Sequence, residues 1–153
     1  MFKTLSATAI GLVLLASPSF AHNQADATKA VATFVANYEK LFNAKDAQGL
    51  AALFADDGVQ SAPGMPLLTN RSDIEKRYKT NFDSGTTDFH VTVKQVQAEG
   101  NIVFLVGQFS VKTPKGGMHE VGGNVVDILE WDGDALKFRV LSFNLVPAPA
   151  AQR

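Results

Sequence analysis

The spacing of the apolar residues changes once along this chain, close to Gly85, and that change limits the folds that the chain can adopt. Between residues 25 and 43 the large apolar side chains recur at the three- and four-residue intervals of an amphipathic helix. After Gly85 they alternate with polar residues, as Phe89 and Val91 do, which is the two-residue period of a half-buried strand. Helices followed by strands predict an α+β fold.

Three helices are predicted before the strands. Asp46 is the expected N-cap of a second helix over Ala47 to Ala55, which Asp56-Asp57-Gly58 would end. The segment Ser61 to Asn70 contains two prolines and a glycine, which predict a loop. Ser72-Asp73-Ile74-Glu75 then matches a capping box, which predicts the start of the third helix. That helix is expected to bury Ile74, Tyr78 and Phe82.

Four strands are predicted after the third helix. Glu99-Gly100-Asn101, Pro114 to Gly117 and Asp132-Gly133-Asp134 are the turns that separate four runs rich in β-formers. Strands joined by short turns pair antiparallel, so the expected sheet is a four-strand meander. Gly107 and the pair Gly122-Gly123 lie within strands and predict bends that curve the sheet around the long first helix.

Both ends of the chain are expected to lie outside the folded domain. Residues 1–21 have the organisation of an export signal, with basic Lys3, an apolar run and small residues up to Ala21. The apolar run is shorter than the roughly 20 residues of a membrane-spanning helix. We therefore expect an exported protein, periplasmic or secreted, with no membrane partner after cleavage. Its domain would span residues 22–146 and be followed by a flexible tail over 147–153.

The composition excludes several kinds of chemistry. The 153 residues include no cysteine, which excludes thiol nucleophiles, disulfides and cysteine-bound metals. The net charge of -1 and the absence of a Lys/Arg cluster argue against a nucleic-acid partner. His22, His90 and His119 lie on different elements without the spacing of metal ligands, so we expect no metal and no cofactor.

The first half of the chain carries the most specific motif. The stretch Tyr38-Glu-Lys-Leu-Phe-Asn-Ala-Lys-Asp46, followed by Leu50-Ala-Ala-Leu-Phe-Ala-Asp-Asp57, resembles the opening of the nuclear transport factor 2-like superfamily. Within it, the chain most resembles the SnoaL-like and ketosteroid isomerase-like group. The resemblance implies a cone-shaped fold in which a curved antiparallel sheet wraps a long N-terminal helix.

The resemblance also implies candidate site residues. Ketosteroid isomerases use a tyrosine on the first helix, matched here by Tyr38, and an aspartic acid on a late strand, matched by Asp127. In that family the aspartic acid stays protonated and donates a hydrogen bond to the developing enolate oxygen. The proton-shuttling aspartate of the family precedes a proline, and here Ala62 stands before Pro63. General-base catalysis is worth roughly 10²- to 10⁴-fold, so Ala62 removes much of the isomerase chemistry.

Binding of a small hydrophobic molecule is the function that these residues favour. The expected site is an apolar pocket between the sheet and the helices, in which Tyr38 and Asp127 orient the ligand. Asp127 alternates with apolar residues on one face of its strand, and burial of a carboxyl group favours a raised pKa. The predicted ligand-binding residues besides these two are Phe34, Phe54, Gln60, Val125 and Leu129.

Two other kinds of function remain open. One is a cofactor-independent isomerase, cyclase or hydrolase, in which Asp127 and Tyr38 act with His90 or a bound water in place of the absent base. The other is a homodimeric structural or interaction module that uses the outer face of the sheet. For that module, an apolar outer patch is expected from Phe104, Phe109 and Phe143.

Overall fold

Three helices, with one strand between the second and the third, precede a run of four strands in the structure, a computed structural model that describes residues 22–114 and 119–146. This order confirms the predicted α+β fold. The predicted export signal and tail lie outside the described residues, as does most of the second predicted turn, Pro114 to Gly117. In chain order the elements are α1 (Gln24–Asn43), α2 (Ala47–Ala52), β1 (Phe54–Ser61), α3 (Arg71–Asp83), β2 (Thr87–Glu99), β3 (Ile102–Thr113), β4 (His119–Asp132) and β5 (Ala135–Val146). No helix within the described ranges is long and apolar enough to cross a membrane.

Helix α1 begins at a capping box and buries one face. The Asn23 side chain accepts hydrogen bonds from the N–H groups of Ala25 and Asp26, at 2.8 and 3.0 Å, and the Asp26 carboxylate accepts from the N–H of Asn23. These bonds satisfy N–H groups that have no partner within the helix. The apolar stripe predicted from the sequence is buried, and its large members are Val31, Phe34, Tyr38 and Phe42.

The sheet contains one strand more than predicted. Its order is β1-β5-β4-β3-β2, and β2 to β5 form the predicted antiparallel meander. The prediction that the second helix reaches Ala55 is wrong, because α2 ends at Ala52 and Phe54 already lies beside Phe138 of β5. This parallel pairing joins segments far apart in the sequence, which local hydrophobic periodicity does not reveal.

The acidic pair that was expected to end the second helix lies on β1. Asp56 forms an ion pair with Arg71 of α3 at 2.9 Å, and Asp57 forms one with Arg139 of β5 at 2.6 Å. Arg71 also donates to the carbonyl oxygen of Phe54 through Nε and Nη2, at 2.9 and 2.5 Å. The two carboxylates therefore tie the edge strand to its neighbours.

The N-cap of helix α3 lies two residues before the predicted one. The side chain of Asn70 accepts a hydrogen bond from the N–H of Asp73 at 2.9 Å and is the N-cap, so the prediction of Ser72 is wrong. Asparagine and serine are both good N-caps, and the extended backbone of Asn70 decides between them. The predicted buried face is correct and comprises Ile74, Tyr78 and Phe82.

The predicted outward phenylalanines divide between the two faces of the sheet. Phe104 is 37% exposed on the outer face, as predicted. The prediction is wrong for Phe109, which lies with the buried odd-numbered positions of β3, and for Phe143, which packs edge-on against it at 5.3 Å. In β5 the pairing with β4 shifts by one residue at Arg139, so residues beyond this bulge change faces.

Gly123 allows β4 and β5 to approach closely at the curved end of the sheet. A Cβ atom on this residue would lie 1.7 Å from the carbonyl oxygen of Asn144 and 2.9 Å from a ring carbon of Phe109. Both distances are far below van der Waals contact. No side chain fits here without separation of the two strands.

We predict that Gly123→Ala lowers the free energy of unfolding by about 3 kcal/mol, because the methyl group forces the backbone of β5 away. Urea unfolding followed by circular dichroism measures the loss. The matched control is Asn124→Ala on the same strand, which is expected to stay within about 1 kcal/mol of wild type. Equal stabilities of Gly123→Ala and wild type would contradict the close approach.

Candidate functional site

A cavity of about 340 Å³ lies between α1, α3 and the concave face of the sheet. Its volume falls within the range of roughly 300–1,000 Å³ that is usual for small-molecule sites. Most of its wall is apolar and aromatic. Six phenylalanines contribute to the wall: Phe34, Phe42, Phe89, Phe109, Phe138 and Phe143.

The structure brings five of the eight predicted site residues to this cavity. They are Phe34, Tyr38, Gln60, Val125 and Asp127. Phe54 and Leu129, both predicted as pocket walls, have no exposed surface and are part of the solid core behind the cavity. Ala62, at the position of the family's base, lines the cavity and presents only a methyl group there.

His90 lies away from the cavity. Its side chain is 66% exposed, and its Nδ1 atom lies 2.9 Å from Oε1 of Glu39 on α1. The same carboxylate oxygen accepts a hydrogen bond from the N–H of Val91 at 2.6 Å. His90 therefore contributes to the packing of β2 on α1, and this position does not bring its imidazole to Asp127.

Two tyrosines and a glutamine form a hydrogen-bonded group in the cavity wall. The hydroxyl groups of Tyr38 and Tyr78 lie 2.9 Å apart, and Nε2 of Gln60 donates to the Tyr78 oxygen at 3.2 Å. Burial raises the pKa of both tyrosines above the ordinary value. Both hydroxyl groups therefore keep their protons at neutral pH.

The hydrogen bonds of the tyrosine pair leave one donor unused. Two hydroxyl protons are available, and the bond between Tyr38 and Tyr78 uses one of them. The other has no acceptor among the described residues, whichever tyrosine carries it. Oε1 of Gln60 is also buried without a partner in this part of the chain. Unused polar groups in an apolar wall are costly unless a ligand or water satisfies them.

Asp127 adds an acidic group to this wall. The residue is only 5% exposed, and its Oδ1 atom accepts a hydrogen bond from the N–H of Ser142 at 3.0 Å. Burial raises the pKa of this carboxyl group to about 7, against the opposing effect of the Ser142 bond. The second oxygen makes no bond to the residues described. At neutral pH a large fraction of the molecules thus carry a carboxylic acid that can donate.

Sequence reasoning missed Tyr78 as a site residue. It was assigned only to the buried stripe of α3, where it follows Ile74 at the four-residue helical interval. A stripe tyrosine and a site tyrosine have the same periodicity, so the sequence offers no signal that separates them. Only the 2.9 Å distance to Tyr38, across two helices, reveals its role.

No group of three or more histidine, aspartate or glutamate side chains within the described ranges is arranged to hold a metal ion. The polar groups that line the cavity are hydroxyl, amide and carboxyl groups, the guanidinium group of Arg77 and the imidazole of His119. Such groups can orient a ligand oxygen and donate hydrogen bonds to it.

Helices packed on a curved sheet around a partly open cavity are the fold of the nuclear transport factor 2-like α+β proteins. One similar structure is a ketosteroid isomerase-like protein from Erwinia carotovora atroseptica. It has a TM-score of 0.68 and 17% identity, over 78% of this chain and 96% of the other. Another is an NTF2-like protein with a cystatin-like fold from Novosphingobium aromaticivorans. It has a TM-score of 0.69 and 16% identity, over 83% and 86% of the two chains. Both likenesses concern the fold alone.

The family follows from the sequence itself. The family model of the SnoaL-like domain matches residues 34–138, which is most of the described chain. The protein therefore belongs to the SnoaL-like domain family. No curated protein sequence matches the chain.

The buried carboxyl group of Asp127 makes stability depend on pH. In the unfolded chain it ionises near its ordinary pKa of 3.8, and in the folded chain near about 7. Between these values the folded state keeps a proton that the unfolded state has released. The free energy of unfolding therefore falls as pH rises through this window, in total by on the order of 4 kcal/mol.

We predict that Asp127→Asn removes this loss, because an amide does not ionise. The difference in unfolding free energy between Asp127→Asn and wild type should grow by several kcal/mol from about pH 4 to about pH 8. Denaturant titrations across this range measure it. Asp134→Asn, at an exposed turn position, is the control and should run parallel to wild type. A difference for Asp127→Asn that does not change with pH would contradict the burial argument.

Proposed function

We propose that this protein binds a small apolar molecule through a single oxygen acceptor. The apolar body would lie among the phenylalanines, and the oxygen would accept hydrogen bonds from Asp127 and the tyrosine pair. One observation carries the proposal: an apolar cavity holds a carboxyl group with a free oxygen and a hydroxyl proton without an acceptor. A carbonyl oxygen is the simplest group that satisfies both donors.

The energetics favour such a ligand. Apolar surface that leaves water contributes roughly 25 cal/mol per Å² to binding. The aromatic wall provides apolar surface against which a ligand is buried. Hydrogen bonds formed in apolar surroundings are stronger than those in water, and the donors here are already fixed in place. The affinity therefore combines apolar burial, which is unspecific, with a polar contact that selects ligands bearing an oxygen.

Binding without turnover is our proposal because neither position expected to supply a base does so. Ala62 presents a methyl group at the position that the resemblance assigns to the isomerase's aspartate. His90, the alternative base, is bonded to Glu39 on the exposed side of β2. Asp127 and Tyr38 can polarise a carbonyl group, but neither of these two positions provides a base that removes the neighbouring proton.

A matched pair of ligands tests the polar contact. α-Tetralone and tetralin have the same ring system, and only the ketone has an oxygen acceptor. We predict that Tyr38→Phe weakens α-tetralone binding by about threefold to tenfold and leaves tetralin binding unchanged. Titration calorimetry or displacement of a fluorescent probe measures both affinities. His90→Gln is the control and should bind both as wild type does, and equal losses for both ligands in Tyr38→Phe would contradict the proposed contact.

The same ketone separates binding from catalysis. In deuterated buffer, wild type should exchange the α-protons of tetralone no faster than Asp127→Asn does. A faster exchange in wild type that depends on Asp127 would support a cofactor-independent isomerase or a related enzyme instead. The affinity measurements would remain valid in either case.

A second function, self-association, is favoured by the outer face of the sheet. Phe104, Val106 and Val126 are 37%, 37% and 55% exposed, and Val106 pairs directly with Val126 across β3 and β4. These residues form an apolar patch on the outer face of the sheet, as in homodimer interfaces. We propose that the protein forms a homodimer through this patch.

We predict that Val126→Glu converts the dimer to a monomer, because two like charges would be buried at the symmetric contact. Light scattering coupled to size-exclusion chromatography measures the mass. Leu67→Glu is the control, since Leu67 is similarly exposed but lies in the loop before α3. A monomeric wild type would contradict the dimer proposal.

A further inference from the structure

Arg77 is a cation in the wall of an apolar cavity. It lies on α3 directly before Tyr78, it is half-buried, and it lines the same cavity as Asp127. Its guanidinium group has no ion pair or hydrogen bond with residues 22–114 or 119–146. By contrast, Arg71 is paired with Asp56, and Arg139 with Asp57.

Two carboxylates close to Arg77 on the same helix have other partners. Asp73, one turn before Arg77, accepts a hydrogen bond from Nδ2 of Asn70 at 2.8 Å in the N-cap. Glu75 forms an ion pair with Lys79. Asp127 lines the cavity, and its Oδ1 atom is held by Ser142. None of the acidic residues in the described ranges forms an ion pair with Arg77.

Further polar residues line the same cavity as Arg77. Asn81 follows it by one helical turn. Thr86 before β2, Thr113 at the end of β3 and His119 at the start of β4 line the cavity too. Thr113 pairs with His119 at one end of the sheet, whereas Asp127 pairs with Leu105 farther along the same two strands. The cavity therefore has polar residues at this end of the sheet in addition to the Asp127 group.

We propose that Arg77 binds an anionic group of the ligand, so that the ligand class is that of amphipathic organic acids. The inference rests on the proposed function and adds a second polar contact to it, at Arg77, besides the contact with Asp127 and the tyrosine pair. A guanidinium group presents a planar fork of donors that matches a carboxylate, and such charge-assisted bonds are about twice as strong as neutral ones. A half-buried cation without a partner gains most from such a ligand, because its lost hydration is then replaced.

The test compares decanoate with methyl decanoate, which share the apolar chain and the carbonyl group but differ in charge. Wild type should bind decanoate about tenfold more tightly than the ester, as a single charge-assisted contact provides. Arg77→Gln should lose this preference through weaker decanoate binding, while ester binding stays as in wild type. Lys76→Gln removes the same charge from the adjacent, exposed position of α3 and should keep the preference. Titration calorimetry in low-salt buffer at neutral pH measures all affinities.

Other results would overturn the inference. A preference for decanoate that persists in Arg77→Gln would exclude the contact. A preference that is lost in Tyr38→Phe but kept in Arg77→Gln would place the carboxylate at the tyrosine pair instead. If α-tetralone binds but decanoate does not, Arg77 has no such role and the proposed function stands. If neither decanoate, its ester nor α-tetralone binds, the proposed function fails as well.

Discussion

Three polar side chains of α1 hydrogen-bond the backbone of β2, and the position of the whole sheet depends on these bonds. The amide of Gln24 bridges the carbonyl of Val96 and the N–H of Ala98. The amide of Asn43 does the same for both backbone groups of Phe89, and Glu39 accepts from Val91 between them. An edge strand is thereby satisfied by a helix, which also prevents it from pairing with another chain. With the helix fixed along this edge, residues of α1 and β2, such as Tyr38 and Phe89, lie together in the cavity wall.

The cavity and the core draw on the same aromatic residues. Phe34 packs edge-on against Phe138 at 4.7 Å, and Tyr38 packs on Phe138 at 5.6 Å, so the rings that line the cavity also support one another. Rings held in this way resist collapse into the empty volume. The buried carboxyl group and the tyrosine pair lower the stability of the empty protein, which is the usual consequence of polar groups prepared for a ligand. Asp127 thus lowers the stability of the protein without a ligand while it favours ligand binding.

The sequence predicted the parts of this fold that depend on local pattern. The stripe of α1, the buried face of α3 and the meander of β2 to β5 each follow from a period that one segment carries by itself. It did not predict β1, because the partner of Phe54 is Phe138, in the last strand of the described chain. It misplaced Phe143, because the bulge at Arg139 reverses the alternation within a single strand. Both errors arise from pairing between segments, which a local pattern does not record.

The same distinction between sequence pattern and three-dimensional contact applies to the candidate site. Tyr38 and Asp127 were found through a resemblance that names positions, and both lie in the cavity wall. Tyr78 and Arg77 were not found, because one looks like a core residue and the other like a surface residue of the same helix. Two three-dimensional features distinguish them. Tyr78 is hydrogen-bonded to Tyr38, and Arg77 has no ion pair within the described residues. Periodicity separates buried from exposed positions. It does not distinguish a residue that lines a cavity from another residue of the same helix or strand.

The parallel pairing of β1 with β5 has a consequence for the order of folding. The ion pair between Asp57 and Arg139 joins residues 82 positions apart, and the parallel pairing of β1 forms only when β5 is present. Contacts of such sequence separation close late, because the intervening chain must first lose much of its freedom. During synthesis, helices α1 to α3 and strands β2 to β4 are complete before β1 can pair with β5. Since Gln60 and Ala62 belong to that strand and its exit, the ligand cavity is finished by the last strand of the described chain to be made.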